Sequence, residues 1–432
     1  MIVDKPIRTA IGPGAYFTHI ADPKFKRNRI SVNFIMPLDR ITASVNAILP
    51  FLLRRGSKSC PDFTRLNARL YELYGAALDA EVTKYNGFQI LQLSIRGLDD
   101  RYALEGEDIT ASCAALLCDV VFAPNFDDGG LPPAADVALE RQNLVDTIEA
   151  EINDKRTYAL GQCLAAMCGD EPVSIRRYGY VESAEAITPE AVADAWRRVI
   201  ESARVEITFA GPGDPAPVRE LFSGHLRTLE RAPHACGLIT LRDHAEVVRE
   251  ETEEMDLHQS KLVMGFRCAG ITEQEDSLAA QLFAAMLGGT PFSKLFMNVR
   301  EKLSLCYYCA ARYDISNKLL LIDSGVEPKN KQTAQEEILR QLEAMRNGDF
   351  TEEDLANTKL FLINYIKSVN DSPSSLASWY LTRTLRGVGG TPYDDCEAIA
   401  KIDAEALRRI ANNVTLDTVY HLAGKEVAVV ES

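Results

Sequence analysis

The chain has 432 residues, with 62 acidic against 47 basic side chains, six histidines and ten cysteines, so its formal charge is −15. At about 150 residues per domain this length implies two or three domains with a sizeable core, and 46% hydrophobic with 25% charged residues excludes a disordered, collagen-like or disulfide-stapled chain. A net acidic surface also argues against nucleic acid, whose phosphates need concentrated Lys and Arg, and leaves neutral or basic peptides as compatible partners.

Residues 1–10 show no basic cap followed by an apolar stretch. The longest obvious apolar run, 47–53, has seven residues and contains Pro50, against the roughly 18 needed to span a bilayer. A soluble, cytoplasmic chain without membrane contact is therefore expected. The cysteines at 60, 113, 118, 163, 168, 236, 268, 306, 309 and 396 are scattered through apolar segments, as reduced buried thiols are.

In chain order, an apolar run at 30–37 predicts a strand, and helical spacing over 43–55 predicts a helix that stops at Gly56-Ser57. An amphipathic helix then leads into paired strands at 78–85 and 88–96, where Leu91, Leu93 and Ile95 alternate with Gln92, Ser94 and Arg96. A helix follows around 139–152. Thr188 is read as the N-cap of a helix with Pro189 in its first turn, leading to a strand at 205–210.

The same order then recurs. A strand at 262–268 precedes a helical pattern of Leu278, Leu282, Ala285 and Met286 that stops at Gly288-Gly289-Thr290, 233 residues after Gly56. Strands at 305–313 and 318–326 answer the first pair, with Gly325 following Gly97 by 228. Val369-Asn370-Asp371 answers Ile152-Asn153-Asp154 at 217, and Ile402-Asp403 answers Ile187-Thr188 at 215, before a last strand at 418–422. Extra loop at 123–135 in the first half accounts for the shrinking offset. A steady order with one insertion is the mark of duplication. The stretch 211–259, with four prolines and an acidic cluster at 250–256, reads as linker plus one strand. The division expected is a first unit at 1–223, a linker at 224–250 and a second unit at 251–432, each α+β.

Gly288-Gly289-Thr290, Leu295-Phe296 and Arg300-Glu301-Lys302 followed by Leu305 and Tyr307, set in this duplicated order, resemble the pitrilysin/insulinase superfamily of zinc peptidases across nearly the whole chain. The resemblance implies two homologous α/β-roll domains, each a mixed, mainly antiparallel sheet backed by helices, closing around a peptide chamber. It also implies a zinc helix carrying H-x-x-E-H, whose histidines share one helical face while the Glu activates bound water. The register places Ala47 and Phe51 at the histidine positions, Pro50 at the Glu position and Thr147 at the third-ligand position, with Glu149 or Glu151 reachable by a small register error. None of the first three can ligate or act as a base, and histidines 19, 225, 234, 244, 258 and 421 contain no pair at helical spacing. No metal and no catalytic residue are expected in this chain.

The resemblance further implies that Arg300 and Tyr307 bind and orient the substrate peptide, Arg300 donating to a carbonyl or carboxylate and Tyr307 to a developing oxyanion. Ser304 departs from the family's usual Gly. Cys306 and Cys309 form a C-x-x-C spacing, but residues three apart on a regular strand face opposite ways, so they are read as packing residues. Gly387 to Gly390 lacks the Lys-Ser/Thr of a phosphate loop. The expected function is a non-catalytic, peptide-binding subunit that supplies Arg300 and Tyr307 to a partner subunit bearing the zinc, with a homodimer possible in isolation. The alternative is a peptide-binding or scaffold protein of the same fold with no peptidase partner.

Overall fold

The computed structural model describes residues 5–235, 237–271 and 276–424, and Cys236 lies outside them. The described chain forms eleven strands: β1 (Ile7–Gly12), β2 (Ala15–Ala21), β3 (Arg27–Pro37), β4 (Ala77–Tyr85), β5 (Phe88–Leu98), β6 (Arg204–Gly211), β7 (Arg249–Met255), β8 (Ser260–Cys268), β9 (Cys306–Asp314), β10 (Leu319–Val326) and β11 (Val414–Gly424). They make a six-stranded sheet in the order β1-β2-β6-β3-β5-β4 and a five-stranded sheet in the order β7-β11-β8-β10-β9. With β1 set aside the two orders coincide. In each, one parallel pair (β2–β6, β7–β11) adjoins antiparallel neighbours. The duplication read from the sequence is thus a duplication of topology, and the fold is α+β with two sheets backed by helices.

The chain divides into two compact units, one comprising Met1–Glu149, Ile175–Ile239 and Val369–Gly389, the other Ala150–Ser174, Thr240–Ser368 and Gly390–Ser432. Neither is one continuous stretch of chain. In the first unit, one face of the sheet is covered by the helices Ala43–Leu53, Ile109–Phe122 and Pro189–Ser202, so that Val32, Phe34, Leu91 and Leu93 pack with Ile48, Leu49, Leu117 and Trp196. Burial of each such side chain contributes about 1.5–3 kcal/mol. The opposite face receives the late helix Pro373–Arg386, through Leu376 and Tyr380 against Ile20 and Phe25, and Leu381 and Leu385 against Ile35 and Ile90. Coverage on both faces explains why β3 is buried continuously from residue 28 to 36, although Ser31 and Asn33 alternate with Ile30, Val32 and Phe34.

The second unit repeats the device with the early helix Lys155–Met167, whose Ala159 and Cys163 pack on Val263, Tyr420 and Leu422. Leu262, Met264 and Phe266 face the other way, into a core with Phe283, Ile338 and Leu407. The matching Ile152-Asn153-Asp154 and Val369-Asn370-Asp371 motifs fall in short 3-10 turns, Glu151–Asn153 and Val369–Asp371, at the point where each sequence half begins to serve the other unit's sheet.

Thr188 and Asp403 cap their helices as expected, accepting from Ala191 N–H at 3.2 Å and Ala406 N–H at 2.8 Å. Between the halves the chain is more ordered than its prolines suggest. Pro215–Arg227 is a helix capped by Asp214, with Pro215 in its first turn, where a missing N–H costs nothing. No helix among the described residues is long and apolar enough to cross a membrane.

Candidate functional site

Helix Ala43–Leu53 carries Ala47, Pro50 and Phe51, the residues that the resemblance sets at the zinc-helix positions. Ala47 is 0% exposed and sits in the core with Ile48 and Leu49, while Phe51 is half-buried against the same cluster. Pro50 lies inside the helix, and the following turn still closes, Arg54 N–H donating to Pro50 O at 3.1 Å. Beyond the helix, Arg55 reaches Asp136 at 2.8 Å and Glu140 at 3.0 Å, tying this end to helix Ala134–Ala150. On that helix Thr147 is exposed and its hydroxyl donates to Asn143 O at 2.7 Å. Glu149 is exposed on the same helix, and Glu151 opens the 3-10 turn that belongs to the second unit. Side chains of Ala, Pro and Phe have no lone pair to offer, so these residues do not fit a zinc ion. Among the described residues no group of three or more His, Cys, Asp or Glu side chains is arranged to hold a metal.

The second unit brings Arg300 and Tyr307 together. Helix Asp276–Ala284 widens into a π-helical turn, Ala285–Gly289, and a second one, Phe296–Lys302, carries Arg300. Gly288 is required by packing: a Cβ there would lie 2.5 Å from Ala311 N, so only glycine lets this turn rest on β9. Arg300 lies over the Phe296 ring at 4.5 Å and is 41% exposed, with Glu301 at 3.6 Å. Tyr307 is on β9, the edge strand of its sheet, and is 63% exposed. Both line one open cleft of about 400 Å³ with Glu301, Ser304, Leu305, Cys306, Glu327 and Asn330. The cleft thus offers a guanidinium, a phenol and the free edge of a strand to an extended ligand.

Two local devices build this geometry. The first is Ser304, which adopts φ +49°, the left-handed conformation where the family uses Gly. The turn nevertheless closes, with Ser304 N–H donating to Arg300 O at 3.1 Å and Leu305 N–H to Val299 O at 3.0 Å. A non-glycine residue in this region is strained by about 1–2 kcal/mol. Ser304→Gly is therefore expected to raise the unfolding free energy by about 0.5–1 kcal/mol, after allowing for the greater freedom of glycine in the unfolded chain. Urea unfolding checks this, and an unchanged or lowered midpoint would contradict it.

The second device is a β-bulge. Gly325 of β10 faces Tyr308 and Val326 faces Cys306, leaving Tyr307 as an extra residue on β9. The bulge turns Tyr307 outward. It also overturns the reading of Cys306 and Cys309 as thiols on opposite faces: both pack against the same core, and they are in hydrogen-bonding contact. Ordinary strand geometry would have separated them, and the one extra residue cancels the half-period difference. The Cys306 thiol is held down to about 7, chiefly by the Cys309 hydrogen bond, with the Arg300 charge assisting against burial. Cys309 is pushed up by the same contact and by its burial. Sequence reasoning also missed Glu327 and Asn330, which reach the cleft only because the hairpin of β9 and β10 brings residues far along the chain beside Arg300.

A family model described as "Peptidase M16 inactive domain" matches residues 186–362. The chain is 30% identical over 418 residues to the Bacillus subtilis (strain 168) "Probable inactive metalloprotease YmfF", covering 96% of this chain and 97% of that one. Its fold matches the crystal structure of a conserved protein from Enterococcus faecalis V583 with a TM-score of 0.90 at 26% identity, over 98% of this chain and 99% of that one. A peptidase M16 inactive domain from Pseudomonas fluorescens matches with a TM-score of 0.77 at 16% identity, over 98% and 99% of the two chains, a likeness of fold alone.

Proposed function

The chain belongs to the pitrilysin/insulinase (M16) peptidase superfamily as a non-catalytic member, and from that premise we propose that it is a peptide-binding subunit supplying Arg300 and Tyr307 to a partner that carries the zinc site. The observation that supports this reading is the convergence of Arg300 and Tyr307 on one open cleft at the free edge of β9, while the zinc-helix positions are filled by core residues. In this reading an extended peptide adds to β9 through main-chain hydrogen bonds, which makes capture largely indifferent to sequence. Arg300 donates to a peptide carbonyl or carboxylate, and Tyr307, aimed outward by the bulge, donates a second hydrogen bond. Glu301 and Glu327 in the cleft wall, with the net charge of −15, favour neutral or basic peptides.

The test is fluorescence anisotropy with a labelled, unstructured, basic peptide. Arg300→Ala combined with Tyr307→Phe is expected to weaken binding about 10- to 100-fold, the loss appropriate to one charge-assisted and one neutral hydrogen bond. Unchanged affinity would sink the reading. The purified chain is expected to cleave no peptide library by itself, and chelator-sensitive cleavage is expected only after mixing with an H-x-x-E-H chain that co-purifies from the native cell. If the chain binds the peptide yet brings down no such partner, the scaffold alternative takes its place.

A further inference from the structure

One group in the second unit has a chemistry that peptide capture does not use. Among the described cysteines, Cys60, Cys113, Cys118, Cys163, Cys168, Cys268, Cys309 and Cys396 are buried free thiols, and Cys306 alone is half-buried and lines an open cleft. Desolvation raises the thiols of Cys113, Cys118, Cys163, Cys168, Cys268 and Cys396, which keeps them protonated and unreactive. Cys306 differs because the bulge at Tyr307 turns it onto the face already occupied by Cys309, so the Cys309 S–H can donate to it. Ser324 on β10 donates its hydroxyl proton to Tyr308 O at 2.9 Å, and Arg300 adds positive charge from the π-helical turn. The other charged groups around it are Glu301 and Glu327 in the cleft wall and Asp323, which acts on Cys309; they oppose Arg300 without contacting Cys306 through any described hydrogen bond.

We propose that Cys306 is a modification site, a half-buried thiol that the bulge sets at the cleft wall beside Cys309 and Arg300, where it exchanges with low-molecular-weight disulfides. In this step the Cys306 sulfur attacks one sulfur of the reagent, a new S–S bond forms, and the reagent's own S–S bond breaks. The departing sulfur keeps the electron pair and leaves as a thiolate, so Cys306 is oxidised, the leaving half is reduced, and no further oxidant is needed. The thiolate fraction near neutral pH makes this attack fast. The attached group lies in the cleft that Arg300 and Tyr307 line. Interference with peptide capture by that group rests on the reading above, whereas the exchange itself does not.

The experiment uses the full chain with the aromatic disulfide 5,5′-dithiobis(2-nitrobenzoate), following released thiolate by absorbance in the absence of peptide. The first equivalent is expected to be released in a fast phase whose rate rises through an apparent pKa near 7. Peptide mapping after that equivalent is expected to find Cys306 in disulfide linkage. Cys306→Ser is expected to abolish the fast phase, and Cys309→Ala to retain modification at Cys306 while moving the midpoint toward the ordinary thiol value of about 8.5. A fast phase that survives Cys306→Ser, or a wild-type midpoint at the ordinary value, overturns the proposal. Peptide anisotropy is then repeated on the modified chain, so a failure of thiol exchange and a failure of peptide capture are read separately.

Discussion

Replacing Arg267 by alanine is expected to destabilise the second unit by about 3–5 kcal/mol, among the larger effects a single substitution can have in this chain. Arg267 is on β8, its side chain 2% exposed, where a long cation is ordinarily excluded. It persists because every donor is used. Nε donates to Asp417 at 2.6 Å, Nη2 to Glu171 at 2.8 Å and to Met167 O at 2.9 Å, and Nη1 to Arg242 O at 2.9 Å and to Glu171 at 3.3 Å. Truncation leaves two nearly buried carboxylates without their cation, and their desolvation is then uncompensated. Urea unfolding of the variant measures the loss. Arg267→Lys is expected to rescue little, since a single ammonium cannot reach the four partners of the planar guanidinium. Replacing Arg267, Glu171 and Asp417 together by apolar residues of similar volume is expected to recover much of the stability, because the cost comes from unpaired charge. The network also sets an acid limit. Hydrogen bonds from Arg267 and the Arg242 backbone hold Glu171 below the usual carboxylate range in spite of its burial. Its contribution is therefore fully present above the unfolded carboxyl value of about 4.3 and is lost as pH falls through the lower folded value. A stability profile that stays flat on acidification below that value would contradict this.

Grafting the zinc motif back, as Ala47→His with Pro50→Glu and Phe51→His, is expected to yield no stoichiometric zinc and to lower stability by about 1–3 kcal/mol relative to Pro50→Glu alone. Pro50→Glu is the right reference because it already contains both the gain from removing an interior proline, up to about 3 kcal/mol, and the cost of a carboxylate at a buried position. The loss comes from the imidazole at position 47, where no space is left among the side chains packed on β3 and β5. A third ligand is lacking too, since Thr147 occupies that position and its hydroxyl is engaged by Asn143 O. Metal analysis after dialysis, with thermal unfolding, decides the matter. Stoichiometric zinc in the grafted chain would show that the helix still has the shape of a metal site.

Much of the site's location was legible in the sequence, because its elements are local. Arg300 and Tyr307 are seven residues apart, and the helix-turn-strand between them confines both to one region however the rest of the chain packs. The turn at Ser304 was marked by its departure from Gly, and its positive φ bears out why glycine is the family's usual choice. Cys306 and Cys309 were misread because a regular strand was assumed. A bulge is decided by the pairing partner, and nothing in the order Cys-Tyr-Tyr-Cys reveals that Gly325 and Val326 will face residues 308 and 306. The helices Lys155–Met167 and Pro373–Arg386 were not singled out in the sequence, and the sheets they cover are set by residues distant along the chain.

By itself, the sequence determined the duplication, the α+β class and the absence of an H-x-x-E-H motif from the chain. These follow from periodicity, from offsets between repeated motifs and from the i, i+4 spacing of side chains on one helix, all properties of neighbouring residues. Tertiary structure alone decided which helix covers which sheet, how Tyr307 came to face outward, why Cys306 meets Cys309, and how Arg267 can be buried. Each of these is a balance of burial and hydrogen bonding among groups distant along the chain, such as Arg267, Glu171 and Asp417 or β9 and β10. Such a balance exists only once the chain has closed on itself.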